Sequence, residues 1–153
     1  RNDMDITNRK YYAAYGSNLN LSQMSRRCPS AKVVGKAMLK GYRLAFRGVA
    51  TIEKDEKAET PVGVWAITES DERALDRYEG YPSYYRKEYV KLTVNGEEIT
   101  AMVYVMNSGE PQMPSRYYLE TIVEGYYDVG LDTIYLKEAL EDTERRTRIK
   151  KAR

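Results

Sequence analysis

The stretch Tyr84–Met106, YYRKEYVKLTVNGEEITAMVYVM, decides how the rest of the chain is read. Two runs rich in aromatic and β-branched residues, Tyr84–Val94 and Glu98–Met106, flank Asn95-Gly96. Asn-Gly accepts positive φ at both central turn positions, so the pattern predicts a β-hairpin closed by a two-residue turn. Working outward, Lys10–Tyr15, Lys32–Leu39, Tyr42–Phe46, Val49–Ile52 and Pro61–Ile67 read as further strands. Lys40-Gly41 reads as a break, Glu53–Thr60 as a charged, exposed connection, and Asn107–Pro114 as a loop.

Helix signals lie between and after these runs. Asn20 or Ser22 can cap a short helix that stops before Pro29, and Thr68 or Ser70 can cap a second. The second has Ala74, Leu75 and Tyr78 on its apolar face, with Gly80 and Pro82 as its stop. Ser115 can open a third helix carrying Leu119, Ile122, Val123 and Tyr126. Asp132 can open a fourth carrying Tyr135, Leu136, Ala139 and Leu140. Six or seven strands joined mostly by short turns, without a repeating βαβ pattern, predict an α+β fold. A small barrel-like mixed, mostly antiparallel β-sheet wrapped by helices is expected. The reading divides the chain into a domain over residues 9–140 and a charged C-terminal helix end or tail over 141–153, solvated and frayed.

Composition narrows the chemistry. The 153 residues include no His and one Cys, Cys28. Without His, the Ser-His-Asp and Cys-His arrangements, His bases and His-containing zinc sites are excluded. One Cys forms no internal disulfide, so a cytoplasmic protein is expected and Cys28 reads as a packed or exposed thiol. No apolar run approaches a membrane span, and no basic-then-apolar signal opens the chain. The net charge is +2, of which the tail Glu141–Arg153 holds +3, so the body has no basic field for nucleic acid. Neither a dinucleotide fingerprint nor a Walker phosphate loop is present. Catalysis is left to carboxylates, hydroxyls, backbone amides, Lys or Arg. Fifteen Tyr against one Phe and one Trp suit the wall of a polar pocket, or equally a half-buried amphipathic sheet.

Three segments carry candidate chemistry. Tyr15-Gly16-Ser17-Asn18-Leu19 ends the first strand, and successive amides in such a turn make an anion-binding concavity. It could hold a carboxylate or a developing oxyanion, or be an ordinary strand-to-helix turn. Glu79 ends the second helix, where the macrodipole and packing among Tyr78, Tyr81 and Tyr85 raise a carboxyl's proton affinity. An exposed helix-end Glu is the plainer alternative. Asp76, three residues earlier, either pairs with Glu79 or faces solvent. At Pro114-Ser115-Arg116-Tyr117-Tyr118 a phenol can reach a pocket or pack on the sheet.

Taken together, these segments resemble the γ-glutamylcyclotransferase-like superfamily. The resemblance rests on Tyr15–Leu19, on Leu75-Asp76-x-Tyr78-Glu79-Gly80-Tyr81-Pro82 and on Tyr84-Tyr85-Arg86 opening a strand. The Asn-Gly hairpin, the Pro-Ser-x-Tyr helix start at 114–117 and Gly130-Leu131 complete it. The Tyr-Glu-Gly-Tyr-Pro form looks closer to the γ-glutamylamine cyclotransferase and AIG2-like branch than to the branch acting on γ-glutamyl-α-amino acids. The resemblance implies a compact barrel with a pocket at one mouth, and an enzyme releasing 5-oxoproline and an amine from a small-molecule γ-glutamyl substrate. It maps the catalytic Glu to Glu79, and the substrate-binding loop to Tyr15, Gly16, Ser17, Asn18 and Leu19. The pocket tyrosines map to Tyr85 (with Tyr84 one residue away) and Tyr117. It implies no metal and no cofactor. No nucleic-acid partner and no membrane are expected, and the chain is read as a monomer or homodimer. Two rivals accompany this reading. One is a non-catalytic ligand-binding module on the same fold, and the other is a maturation enzyme removing a γ-glutamyl group from a larger acceptor.

Overall fold

The computed structural model describes residues 9–152. Strand β1 (Lys10–Ala14) runs into a 3-10 turn (Ser17–Leu19) and helix α1 (Leu21–Arg27). Strands β2 (Lys32–Phe46) and β3 (Ala50–Ile67) follow, then α2 (Glu69–Glu79), β4 (Tyr85–Val94), β5 (Glu97–Met106), α3 (Arg116–Val129) and α4 (Ile134–Ala152). The strands form one sheet in the order β2-β3-β1-β5-β4. All pairs are antiparallel except β1 with β5. The α+β class and the mostly antiparallel sheet are therefore as expected.

The strand count is lower than expected because two anticipated interruptions are absorbed. Lys40-Gly41 is a register shift inside β2, with Gly41 at φ 86°, and the ladder resumes at Tyr42. Glu53–Thr60 belongs to β3 rather than to a connection. Only residues 55–58 leave the ladder, which steps from Lys54 opposite Tyr42 to Glu59 opposite Lys40. Charge there predicts exposure, and exposed strand faces are charged too. The hairpin is as read: Asn95 (φ 52°) and Gly96 (φ 81°) form the turn, and Val94 faces Glu97.

The sheet curls until its two edges meet. Asn95 Nδ2 donates to Val34 O at 3.2 Å, and the Tyr42 hydroxyl donates to Glu88 Oε1 at 2.7 Å. The first joins β2 to the β4–β5 turn, and the second joins β2 to β4. Tyr104, Phe46, Leu39, Met102 and Ile122 lie fully buried inside. Burial of such side chains contributes about 1.5–3 kcal/mol each.

Caps fix where the helices begin and end. Asn20 caps α1 through Gln23 N, Thr68 forms a capping box with Asp71 at α2, and Ser115 accepts from Tyr118 N at α3. The expected division at 140/141 falls inside α4, which is one continuous helix to Ala152. Its middle turns are held on the sheet, and residues 148–152 beyond them are exposed. Thr143 is buried, Asp142 pairs with Arg43 at 2.7 Å, and Arg146 reaches Glu53 at 3.4 Å. Those partners lie on β2 and β3, and nothing local in the tail's sequence points to them. Among the described residues, no helix is long and apolar enough to cross a membrane.

Candidate active site

At one mouth of the sheet lies a cavity of about 260 Å³, walled largely by tyrosines. Its floor comes from Tyr12 of β1 and Tyr104 of β5. One wall is the Tyr15–Asn18 turn, another is Tyr78-Glu79 at the end of α2, and a third is Tyr85 and Tyr118 against Val49-Ala50. The turn is held by α3. Asn20 Nδ2 donates to Thr121 O at 3.1 Å, and Gly125 packs so closely on Leu19 that a Cβ there would lie 2.7 Å from the Leu19 Cβ.

Glu79 is the carboxylate of this cavity. Gly80 terminates α2 in the left-handed conformation, φ 67°, which turns the chain away and leaves Glu79 at the rim of the helix. The side chain makes no hydrogen bond or salt bridge with any described residue. Burial among the tyrosines pushes its carboxyl up from 4.5 to about 7, and the positive charge of Arg27 opposes that rise. A carboxyl at that value exchanges protons readily near neutrality. Asp76 has a different role. It pairs with Lys87 at 3.0 Å and accepts from the Tyr104 hydroxyl at 2.6 Å, so it is not a carboxyl partner of Glu79.

Backbone amides line the opposite wall. The amides of Gly16, Ser17 and Asn18 have no acceptor among the described residues. The Leu19 amide is taken by Gly16 O at 3.0 Å, and the Leu19 side chain is wholly buried. Leu19 therefore belongs to the framework of the turn and not to its binding surface. Gly16 adopts φ −127°, so its small size matters rather than a left-handed backbone. A Cβ there would lie 3.2 Å from the Ala50 Cβ and 3.4 Å from the Tyr118 hydroxyl. The Asn18 side chain donates to the Tyr12 hydroxyl at 2.9 Å and accepts from Arg27, and Ser17 Oγ lies 2.8 Å from the Tyr78 hydroxyl. The Tyr15 hydroxyl is spent on Tyr104 O at 2.7 Å, so Tyr15 offers the pocket its ring.

Two phenols grip one peptide. The Tyr85 hydroxyl donates to Ala50 O at 2.9 Å, and Ala50 N donates to the Tyr118 hydroxyl at 3.0 Å. The Tyr118 proton is thereby left to donate and the Tyr85 oxygen to accept. Tyr84, the alternative to Tyr85, is 72% exposed and does not line the cavity. Tyr117, the tyrosine expected from α3, is 76% exposed and also lies outside. Tyr118 takes its place. Helical spacing puts Tyr118 in register with the buried Ile122 and Tyr126, whereas Tyr117 aligns with Thr121 and Glu124. That periodicity was available in the sequence. Tyr12, Tyr104 and the Val49-Ala50 pair are further lining residues that no motif announces, and Tyr78 of the Tyr78-Glu79-Gly80 motif lines the cavity with them. Cys28 is buried with its thiol pushed up to about 11, inert as read.

With this geometry the chain belongs to the gamma-glutamyl cyclotransferase, AIG2-like family, whose model matches residues 12–128. Among relatives, it is 33% identical to the gamma-glutamylcyclotransferase of Bos taurus over 141 residues, covering 83% of this chain and 75% of that one. A solved gamma-glutamyl cyclotransferase superposes with a TM-score of 0.77 at 30% identity, covering 85% of each chain. An AIG2-like protein from Mus musculus is 16% identical with a TM-score of 0.56, covering 72% of this chain and 82% of that one. That is a likeness of fold alone.

Proposed function

We propose that this chain is a γ-glutamyl cyclotransferase, with Glu79 as the general base and acid of a ring closure. The observation that carries the reading is a carboxyl without a hydrogen-bond or ion-pair partner among the described residues, raised to about 7, in a tyrosine-walled cavity lined also by Gly16, Ser17 and Asn18, whose amides have no acceptor among the described residues.

The substrate brings its own nucleophile. Glu79 takes a proton from the α-ammonium of the γ-glutamyl group. The freed amine attacks the γ-carbonyl carbon, a C–N bond forms and a five-membered ring closes. The oxyanion that develops is met by the amides of Gly16, Ser17 and Asn18, each good donor contributing about 3–4 kcal/mol. Glu79 gives the proton it holds to the leaving nitrogen, collapse breaks that C–N bond, and the freed carboxylate takes the second proton from the ring nitrogen and passes it to the departing amine, which leaves as an ammonium. The products are 5-oxoproline and the released amine. Holding the γ-glutamyl chain folded contributes a further ~7–11 kcal/mol. Tyr118 donates to the substrate's α-carboxylate and Tyr85 accepts from its ammonium. No electron transfer occurs in this sequence, and one carboxyl serves each proton step.

The leaving group is a small amine or amino acid. The 33% identical gamma-glutamylcyclotransferase and the family model both support a γ-glutamyl group as the part of the substrate that cyclises. A cytoplasmic setting accords with a single free thiol, and a small-molecule substrate with a cavity of about 260 Å³. The test is 5-oxoproline release from γ-glutamyl-ε-lysine and from several γ-glutamyl-α-amino acids, with Glu79→Gln as control. Release that falls ~10²-fold or more in the variant is expected. A folded wild type that releases none from any substrate refutes the reading and favours a binding module or a larger acceptor.

A further inference from the structure

The last residue of α1 stands behind the cavity rather than in it. Arg27 Nη1 donates to Asn18 Oδ1, and its Nη2 donates to Gln23 Oε1 at 2.9 Å. Its guanidinium carbon lies over the Tyr78 ring, 3.4 Å from the centroid. Gln23 and Arg27 sit four apart on one helix, so they meet on one face. Each contact leads back to the site: Asn18 is in the amide turn, and Tyr78 precedes Glu79.

The oxygens that hold Arg27 are neutral. It forms no salt bridge with any described residue, although half-buried cations are ordinarily paired. Glu79 forms none either. The two are the unneutralised opposite charges of this region, kept apart by Tyr78, Ser17 and Asn18. The other titratable groups packed around Glu79 are phenols. Tyr12, Tyr15, Tyr85, Tyr104 and Tyr118 are all raised, chiefly by burial, and stay uncharged at neutral pH. Asp76, one turn earlier on α2, is neutralised by Lys87.

We propose that Arg27 is a positioning residue that sets the pH at which Glu79 works, acting through space while it clamps the amide turn to the end of α2. A direct ion pair would hold the carboxylate charged and make it a poor base. No cation at all would leave a buried carboxyl protonated at neutral pH. The clamped, separated arrangement lies between these limits. The inference rests on reading Glu79 as the base, but its charge coupling can be measured without turnover.

The experiment titrates the Glu79 side-chain carboxyl carbon by NMR in wild type, Arg27→Gln and Arg27→Lys, with Glu79→Gln assigning the signal. In parallel, kcat/KM is followed against pH. Neutral Gln at 27 should raise the proton affinity of Glu79 about 3–10-fold and move the acid limb of kcat/KM upward by the same factor. Lys should restore most of the shift. An unmoved midpoint in a folded Arg27→Gln, with kcat/KM lowered equally at all pH values, overturns the proposal and leaves a purely structural clamp. Should Arg27→Gln fail to fold, Gln23→Glu neutralises Arg27 in place and must also raise the midpoint; an unmoved one overturns the proposal. If wild type has no cyclising activity but the midpoint moves, the coupling stands and the reading of Glu79 as base fails.

Discussion

Replacing Glu79 by Gln removes a charge while leaving the side chain's volume nearly unchanged. The carboxyl's rise from 4.5 to about 7 means that the folded protein binds this proton more tightly than the unfolded chain does. Stability therefore falls as pH rises from about 4.5 to about 7, and the full penalty persists above that. The rise corresponds to roughly 3 kcal/mol, a ceiling for what Glu79→Gln can restore. For a chain of this length that is a gain of about 6–12 °C in Tm at pH 8, shrinking to nothing below pH 4.5. The assay is a pair of thermal melts, wild type and variant, at pH 4, 6 and 8, alongside 5-oxoproline release. Turnover should collapse where stability rises. A Tm difference that ignores pH, or has the opposite sign, would show that the carboxyl is not strained by burial. The assignment of Glu79 as a poised base would fall with it.

Four further substitutions test other parts of the site and core. Tyr118→Phe should lower kcat/KM about tenfold by removing a donor. Tyr117→Phe should leave kinetics unchanged, and the opposite ranking would restore the tyrosine expected from sequence. Gly16→Ala puts a Cβ 3.2 Å from the Ala50 Cβ, so steady-state activity should drop tenfold or more; a fully active, stable variant would remove the turn from the mechanism. Tyr126 is buried with a hydroxyl that has no hydrogen-bond partner among the described residues. Tyr126→Phe should hold or raise stability by about 1 kcal/mol in chemical denaturation, and a marked loss would reveal a partner for that hydroxyl.

Local chemistry was legible in the sequence and lateral chemistry was not. The Asn95-Gly96 turn, the Thr68 and Ser115 caps and the Gly80 stop are decided within four residues, and all appear as read. The length of β2 and β3 was missed because pairing with each other carries these strands through positions that look like breaks alone. The approach of Tyr12, Tyr104 and Ala50 to Glu79 depends on strand order, which no motif encodes. At the start of α3 the motif points to Tyr117, whereas helical periodicity places Tyr118 with the buried Ile122 and Tyr126. The anchoring of α4 by Arg43 and Glu53 required knowing which strands would lie beneath it.

The grip on Ala50 has a consequence for how this pocket responds to mutation. Both hydrogen bonds use the main chain at that position, so the residue's identity records nothing of them. Substitutions at 50 would be sorted by bulk, since the Gly16 backbone lies close beside the Ala50 methyl. Proline stands apart, because it removes the N–H that holds Tyr118. The dependence becomes visible only from the far ends, in two phenols separated along the chain that each hold one main-chain atom of the same residue.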